Sequence, residues 1–230
     1  MVSIPAEARV GMNPDAPFKM EDVFNDNFNP GSYGSQGAAD GWILKKYNYN
    51  ATENSGSYST VALADNIEFG VSYWLASNVA TTWGVEGLQN VDYDNTIPEC
   101  TDNRCVEIDI VSAVADDDNS SGPNNYTMFG FVGKSPVDWA DCRIIIVEDS
   151  LILTPEQADD QGYVSREIWY HSGGYGTAGD GHVTENDYAS CSDASVGGCQ
   201  LVPFQGYWLR TEPGSIGKTV KILLPKGDEQ

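Results

Sequence analysis

The sequence predicts an all-β protein, an antiparallel β-sandwich or jelly roll with long loops. Three observations predict it. About nine segments are rich in β-branched and aromatic residues, and several alternate apolar with polar positions. The connections between them are polar and rich in Gly, Asn, Asp and Ser. One short stretch alone carries helix signals.

Residues 1–20 contain Pro5, Pro14 and Pro17 and no periodic pattern, so they read as an extended N-terminal arm. A single sandwich domain is expected over 21–230, because no internal repeat or composition break marks a second one. Its strands begin with "WILKKY" at Trp42, "YSTVAL" at Tyr58 and "IEFGVSYWLA" at Ile67. In the third, Phe69, Val71, Tyr73 and Leu75 share one face. "CVEIDIVSAV" at Cys105 and "YTMFGFVG" at Tyr126 follow, then "CRIIIVEDSLIL" at Cys142 and "YVSREIWY" at Tyr163. "FQGYWLRT" at Phe204 and "KTVKILL" at Lys218 complete the set. The helix is "TPEQADDQ": Thr154 caps it, Pro155 opens the first turn and Gln157 closes a capping box. The loop from His171 to Gly198 is long and rich in Gly, Ser and Asp, the kind that usually carries function or stays disordered.

The formal charge of -22 argues against nucleic acid and against anionic membranes, both of which need clustered Lys and Arg. No stretch is long and apolar enough for a spanning helix, so membrane insertion is not expected. The opening "MVSIPAEARVGMNP" lacks the basic start and apolar centre of a signal peptide. Cys100 with Cys105, and Cys191 with Cys199, each bracket a short polar loop, which predicts two local disulfides and leaves Cys142 free in an apolar strand. Neither pair has zinc-ligand spacing. Disulfides imply an extracellular or cell-surface location.

Glu107 and Asp109 alternate with Ile108 and Ile110, which sets both carboxylates on one strand face. Paired carboxylates are how many glycosidases cut sugars. The order of "EDVFNDNFN", "VSYWLAS" and "VEIDIVSA" resembles the laminarinase-like glycoside hydrolases of the concanavalin-type jelly-roll superfamily. Their Glu-x-Asp-x-x-Glu signature implies Glu107 as nucleophile and Asp109 as its assistant. The acid/base position is Ser112 here, and a hydroxyl cannot protonate a glycosidic oxygen at neutral pH. Arg166, Tyr170, His171, Tyr175 and His182 form a mix that resembles jelly-roll polysaccharide lyases, without those enzymes' Arg-x-Glu-x-Arg string.

Acidic loops suit calcium, a hard cation that takes oxygen ligands, and Asp116, Asp117 and Asp118 are the best candidate ligands. Six Trp and twelve Tyr are many for one core to hide. Trp83 and Tyr93 are the preferred sugar platform, whereas Trp74 and Trp169 lie within strands and are expected to pack in the core. The leading function is therefore a non-catalytic, extracellular carbohydrate-binding or adhesive module with Trp83, Tyr93, Glu107 and Asp109 on its glycan-binding face. Two other classes stay open: a structural subunit of an extracellular filament or virion, assembled with copies of itself by strand exchange through the arm, and a polysaccharide hydrolase or lyase using Glu107 and Asp109.

Overall fold

The computed structural model describes residues 2–3, 19–24, 28–35, 37–50, 55–68, 70–78, 105–113, 125–131, 135–171, 188–192, 198–203 and 205–225. The strands in chain order begin with β1 (Val2–Ser3), β2 (Trp42–Asn50), β3 (Ser55–Thr60), β4 (Ser72–Ser77) and β5 (Cys105–Ile110). Then come β6 (Tyr126–Gly130), β7 (Val137–Asp138), β8 (Arg143–Ile146), β9 (Leu151–Leu153) and β10 (Val164–His171). The last are β11 (Tyr188–Ser192), β12 (Gln200–Leu201), β13 (Gly206–Thr211) and β14 (Val220–Pro225). Helix α1 (Met20–Phe24) precedes β2, and α2 (Pro155–Asp160) lies between β9 and β10. Every pairing between these strands is antiparallel.

Two four-stranded sheets make the expected sandwich. Sheet I runs β5-β14-β8-β9 and sheet II runs β11-β10-β13-β6. Alternation decides which side chains meet between them. From sheet I, Val106, Ile108, Ile110, Ile144, Ile146, Val220, Ile222 and Leu224 point inward. From sheet II they meet Phe129, Ile168, Tyr207 and Leu209. Each fully buried aliphatic side chain stabilises the fold by about 1.5–3 kcal/mol relative to leaving it in water. Trp139 plugs one end, and its indole N–H donates to the Arg166 carbonyl at 2.9 Å. The short β7–β12 pair lies beside it, fixed by a disulfide between Cys191 and Cys199 with a Cα separation of 5.3 Å. Cys142 is free and fully buried, as expected. Cys105 is disulfide-bonded, and its expected partner Cys100 lies outside the described residues.

A third sheet goes beyond the expected pair. Sheet III runs β1-β4-β2-β3. One face holds Trp42, Leu44 and Tyr73 against Met20, Val23 and Phe24 of α1. Phe28 stacks on Trp42 with ring centroids 4.8 Å apart. This second core explains why a five-residue helix persists: its i, i+3, i+4 apolar positions are all buried. Sheet III joins the sandwich at the β6 edge. Val71 bridges Phe129, the Gly130 N–H donates to the Gly70 carbonyl at 2.7 Å, and the Ser72 hydroxyl donates to the Phe129 carbonyl at 2.6 Å. Gly70 has φ +73°, and a Cβ there would lie 2.9 Å from Ile108 Cδ1, so glycine is required twice over.

Other expectations differ in detail. Helix α2 carries the full capping box, with the Gln157 N–H donating to Thr154 Oγ1 and the Thr154 N–H donating to Gln157 Oε1. "CRIIIVEDSLIL" is two strands, because Glu148, Asp149 and Ser150 turn the chain, Ser150 at φ 54°. Of the expected arm, Met20 begins α1, and Val2 and Ser3 pair with Tyr73 and Ser72 of the same chain. Residues 4–18 lie outside the described residues.

Candidate functional site

The carboxylates singled out in the sequence do share a face. Strand β5 is an edge of sheet I, with Val106, Ile108 and Ile110 turned into the core and Glu107 and Asp109 turned outward. Lys221 is the cross-strand partner of Asp109. Its ammonium lies 2.8 Å from Glu107 Oε2 and 3.8 Å from Asp109 Oδ1. The hydrogen bond to Glu107 raises the Lys221 pKa above the usual lysine range, against the opposing effect of desolvation. Glu107 is thus engaged in an ion pair, while the Asp109 side chain is 85% exposed. The Ser112 hydroxyl donates to the Lys218 carbonyl.

Trp83, Tyr93, Asp116, Asp117, Asp118, Tyr175 and His182 lie outside the described residues. Among the described residues, no group of three or more His, Cys, Asp or Glu side chains is placed to hold a metal ion. Arg166 turns to Glu156 at 3.5 Å, and Tyr170 packs against the sandwich core, so these two do not converge with His171.

The tryptophans are distributed differently from the sequence expectation. Trp42 and Trp139 are the most deeply buried of those described, whereas Trp74 and Trp169 are half-buried. The correction has a simple cause. On β4, Tyr73 takes the face packed against α1, so its neighbour Trp74 must point to the other side. That side of sheet III faces the outer surface of sheet II, and aromatic rings fill the seam. Tyr47 meets Trp208 edge-on at 4.7 Å between centroids. Trp74 meets His171 at 5.4 Å and Tyr188 at 6.2 Å, both edge-on. Tyr58 lies 5.4 Å from Tyr47, and its hydroxyl accepts a hydrogen bond of 3.1 Å from the Trp74 indole N–H.

Backbone features place these rings. Tyr47 and Tyr58 are cross-strand partners, as are Lys45 and Trp74. The Tyr47 ring lies over Gly56, where a Cβ would fall 1.9 Å from its hydroxyl. Burial pushes the Tyr47 phenol up to about 12 and raises Tyr58 in the same direction. Both therefore stay neutral hydrogen-bonding groups. Tyr58 nevertheless remains 45% exposed, the largest exposure among the bulky apolar side chains described.

No protein-family model, curated protein or solved structure matches this chain. The functional reading therefore rests on the chemistry of the seam. Half-exposed aromatic rings with fixed orientation and polar tips offer an electron-rich face to C–H groups and hydrogen bonds to hydroxyls.

Proposed function

We propose that this chain is a non-catalytic carbohydrate-binding or adhesive module acting outside the cell, and that the seam between sheets II and III is its glycan-binding surface. The observation that carries the reading is the Trp74–Tyr58 pair. Two large rings are held together by a hydrogen bond and left partly open to water. A pyranose ring has an apolar C–H face and a polar rim, so it matches a ring face flanked by hydroxyl donors. Such rigid amphipathic side chains lose little conformational entropy on binding. The Cys191–Cys199 disulfide supports an oxidising location. The ion-paired Glu107 and the hydrogen-bonded Ser112 support binding without cleavage.

The test is affinity electrophoresis against a panel of soluble polysaccharides. Tyr58→Ala and Trp74→Ala should each weaken retardation at least about tenfold while the circular dichroism spectrum stays unchanged, a tenfold change corresponding to about 1.4 kcal/mol. Reducing-end release should stay at background. Hydrolysis that disappears in Glu107→Gln, or binding untouched by both ring deletions, refutes the reading.

A further inference from the structure

Resting on that reading, we infer that the glycan is an acidic one, and that Lys45 receives its anionic group. Lys45 is an anomaly in this chain. Among the described residues, Lys19, Lys46, Arg166, Arg210, Lys218 and Lys221 each pair with a carboxylate. Arg143 instead donates to the carbonyls of Ala140 and Cys142. Lys45 makes no ion pair and no side-chain hydrogen bond among the described residues, although the chain holds 34 carboxylates against 12 cations.

Its position gives the anomaly a direction. On β2, Lys45 and Tyr47 point to the seam, while Lys46 points to the α1 side and binds Glu68 at 2.6 Å. Trp74 on β4 and Thr60 on β3 are the residues directly opposite Lys45. The ammonium therefore rises from the middle of the sheet face that also carries Trp74, Tyr47 and Tyr58.

The surrounding charge points the same way. The strands of sheets II and III carry Lys45, Lys46, Arg166 and Arg210 against one carboxylate, Glu167. Glu68, Glu156 and Glu212 pair Lys46, Arg166 and Arg210, which leaves Lys45 as the cation of these strands without a carboxylate partner among the described residues. At about 0.15 M salt the screening length is roughly 8 Å. A contact ion pair at Lys45 is screened much less than charges that far apart. An ammonium makes short, charge-assisted hydrogen bonds to anionic oxygens, so a carboxylate or sulfate ester is its natural partner.

The experiment is titration calorimetry of the intact chain at 0.15 M salt with three tetrasaccharide probes: a neutral β-glucan, an oligouronate and a sulfated galactan. At least one acidic probe should bind about tenfold or more tighter than the neutral one, as expected for one charge-assisted hydrogen bond. The probe that does so tells carboxylate from sulfate. Lys45→Gln should abolish the preference, Lys45→Arg should keep most of it, and both should melt as the parent does. Equal affinity for neutral and acidic probes, or a preference that survives Lys45→Gln, overturns this inference and leaves the glycan-binding reading standing. No heat with any probe overturns both.

Discussion

Replacing Gly70 with alanine tests how sheet III is attached to the sandwich. Two costs can be worked from the structure. At φ +73° an L-residue is in left-handed backbone, which costs about 1–2 kcal/mol. The added methyl would also sit 2.9 Å from both Cδ1 and Cγ1 of Ile108, a core side chain on β5 that is 8% exposed. Overpacking of that kind costs about 1–3 kcal/mol. The expected loss is therefore about 2–5 kcal/mol. In urea, with a slope of about 2–3 kcal/mol per molar, the midpoint should fall by about 1–2 M. Ile108→Ala alone should cost about 2–5 kcal/mol. In the double variant the methyl added at position 70 fills part of the space that Ile108 vacates, so the two costs should fall short of additivity by about 1–3 kcal/mol. A Gly70→Ala protein within about 0.5 kcal/mol of the parent, or strict additivity with Ile108→Ala, refutes the geometry of the junction.

Alkaline stability should reflect Tyr47. The folded state holds the phenolic proton up to about pH 12, whereas the unfolded chain releases it near its ordinary value, so stability is full below about pH 10 and falls between there and 12. Tyr47→Phe should flatten that part of the denaturation profile. Glu107→Gln should cost only about 0.5 kcal/mol at neutral pH, since the pair it breaks is about one-third exposed. Because Lys221 has a raised pKa, that cost should persist below the unfolded lysine value and vanish as pH rises through the folded one. Unreduced peptide mapping should show Cys191 joined to Cys199. Cys142, its thiol pKa pushed up by complete burial, should react with iodoacetamide only after denaturation, and modification of the native protein contradicts its placement.

What was legible in the sequence follows from how local each signal is. The capping box of α2 was readable because Thr154 and Gln157 satisfy each other's backbone within one turn. The strand alternation of β5 was readable because Val106, Ile108 and Ile110 are buried and Glu107 and Asp109 are exposed; in β14 it is interrupted by Leu223, which is buried with Cys105 and Ile145. The two-residue strands β7 and β12 were not, since two residues show no period. Strand β11, "YASCS", hides in a polar loop composition, and its pairing with β10 supplies what its propensity lacks. The seam was half legible. Assigning Tyr73 and Leu75 to one face already sends Trp74 to the other, yet its position within a strand suggested burial. What no local pattern could show is that His171 and Tyr188, about a hundred residues further along, come to lie against Trp74. That contact depends on sheet III folding over sheet II.

The division of the tryptophans has an optical consequence. Trp42 and Trp139 are sealed from water, so their emission should be blue-shifted and deaf to soluble quenchers such as acrylamide. Trp74 stands at the seam with one hydrogen bond to a partly exposed phenol, so its emission should follow whatever enters there. Tyr47 and Tyr58 lie within a few ångströms of an indole, close enough to hand it their excitation. Excited at tyrosine wavelengths, the protein should carry its own unlabelled signal at the seam, and a Trp74→Phe variant would remove the part of it that Tyr58 feeds while leaving the Tyr47–Trp208 pair and the buried Trp42 and Trp139 in place.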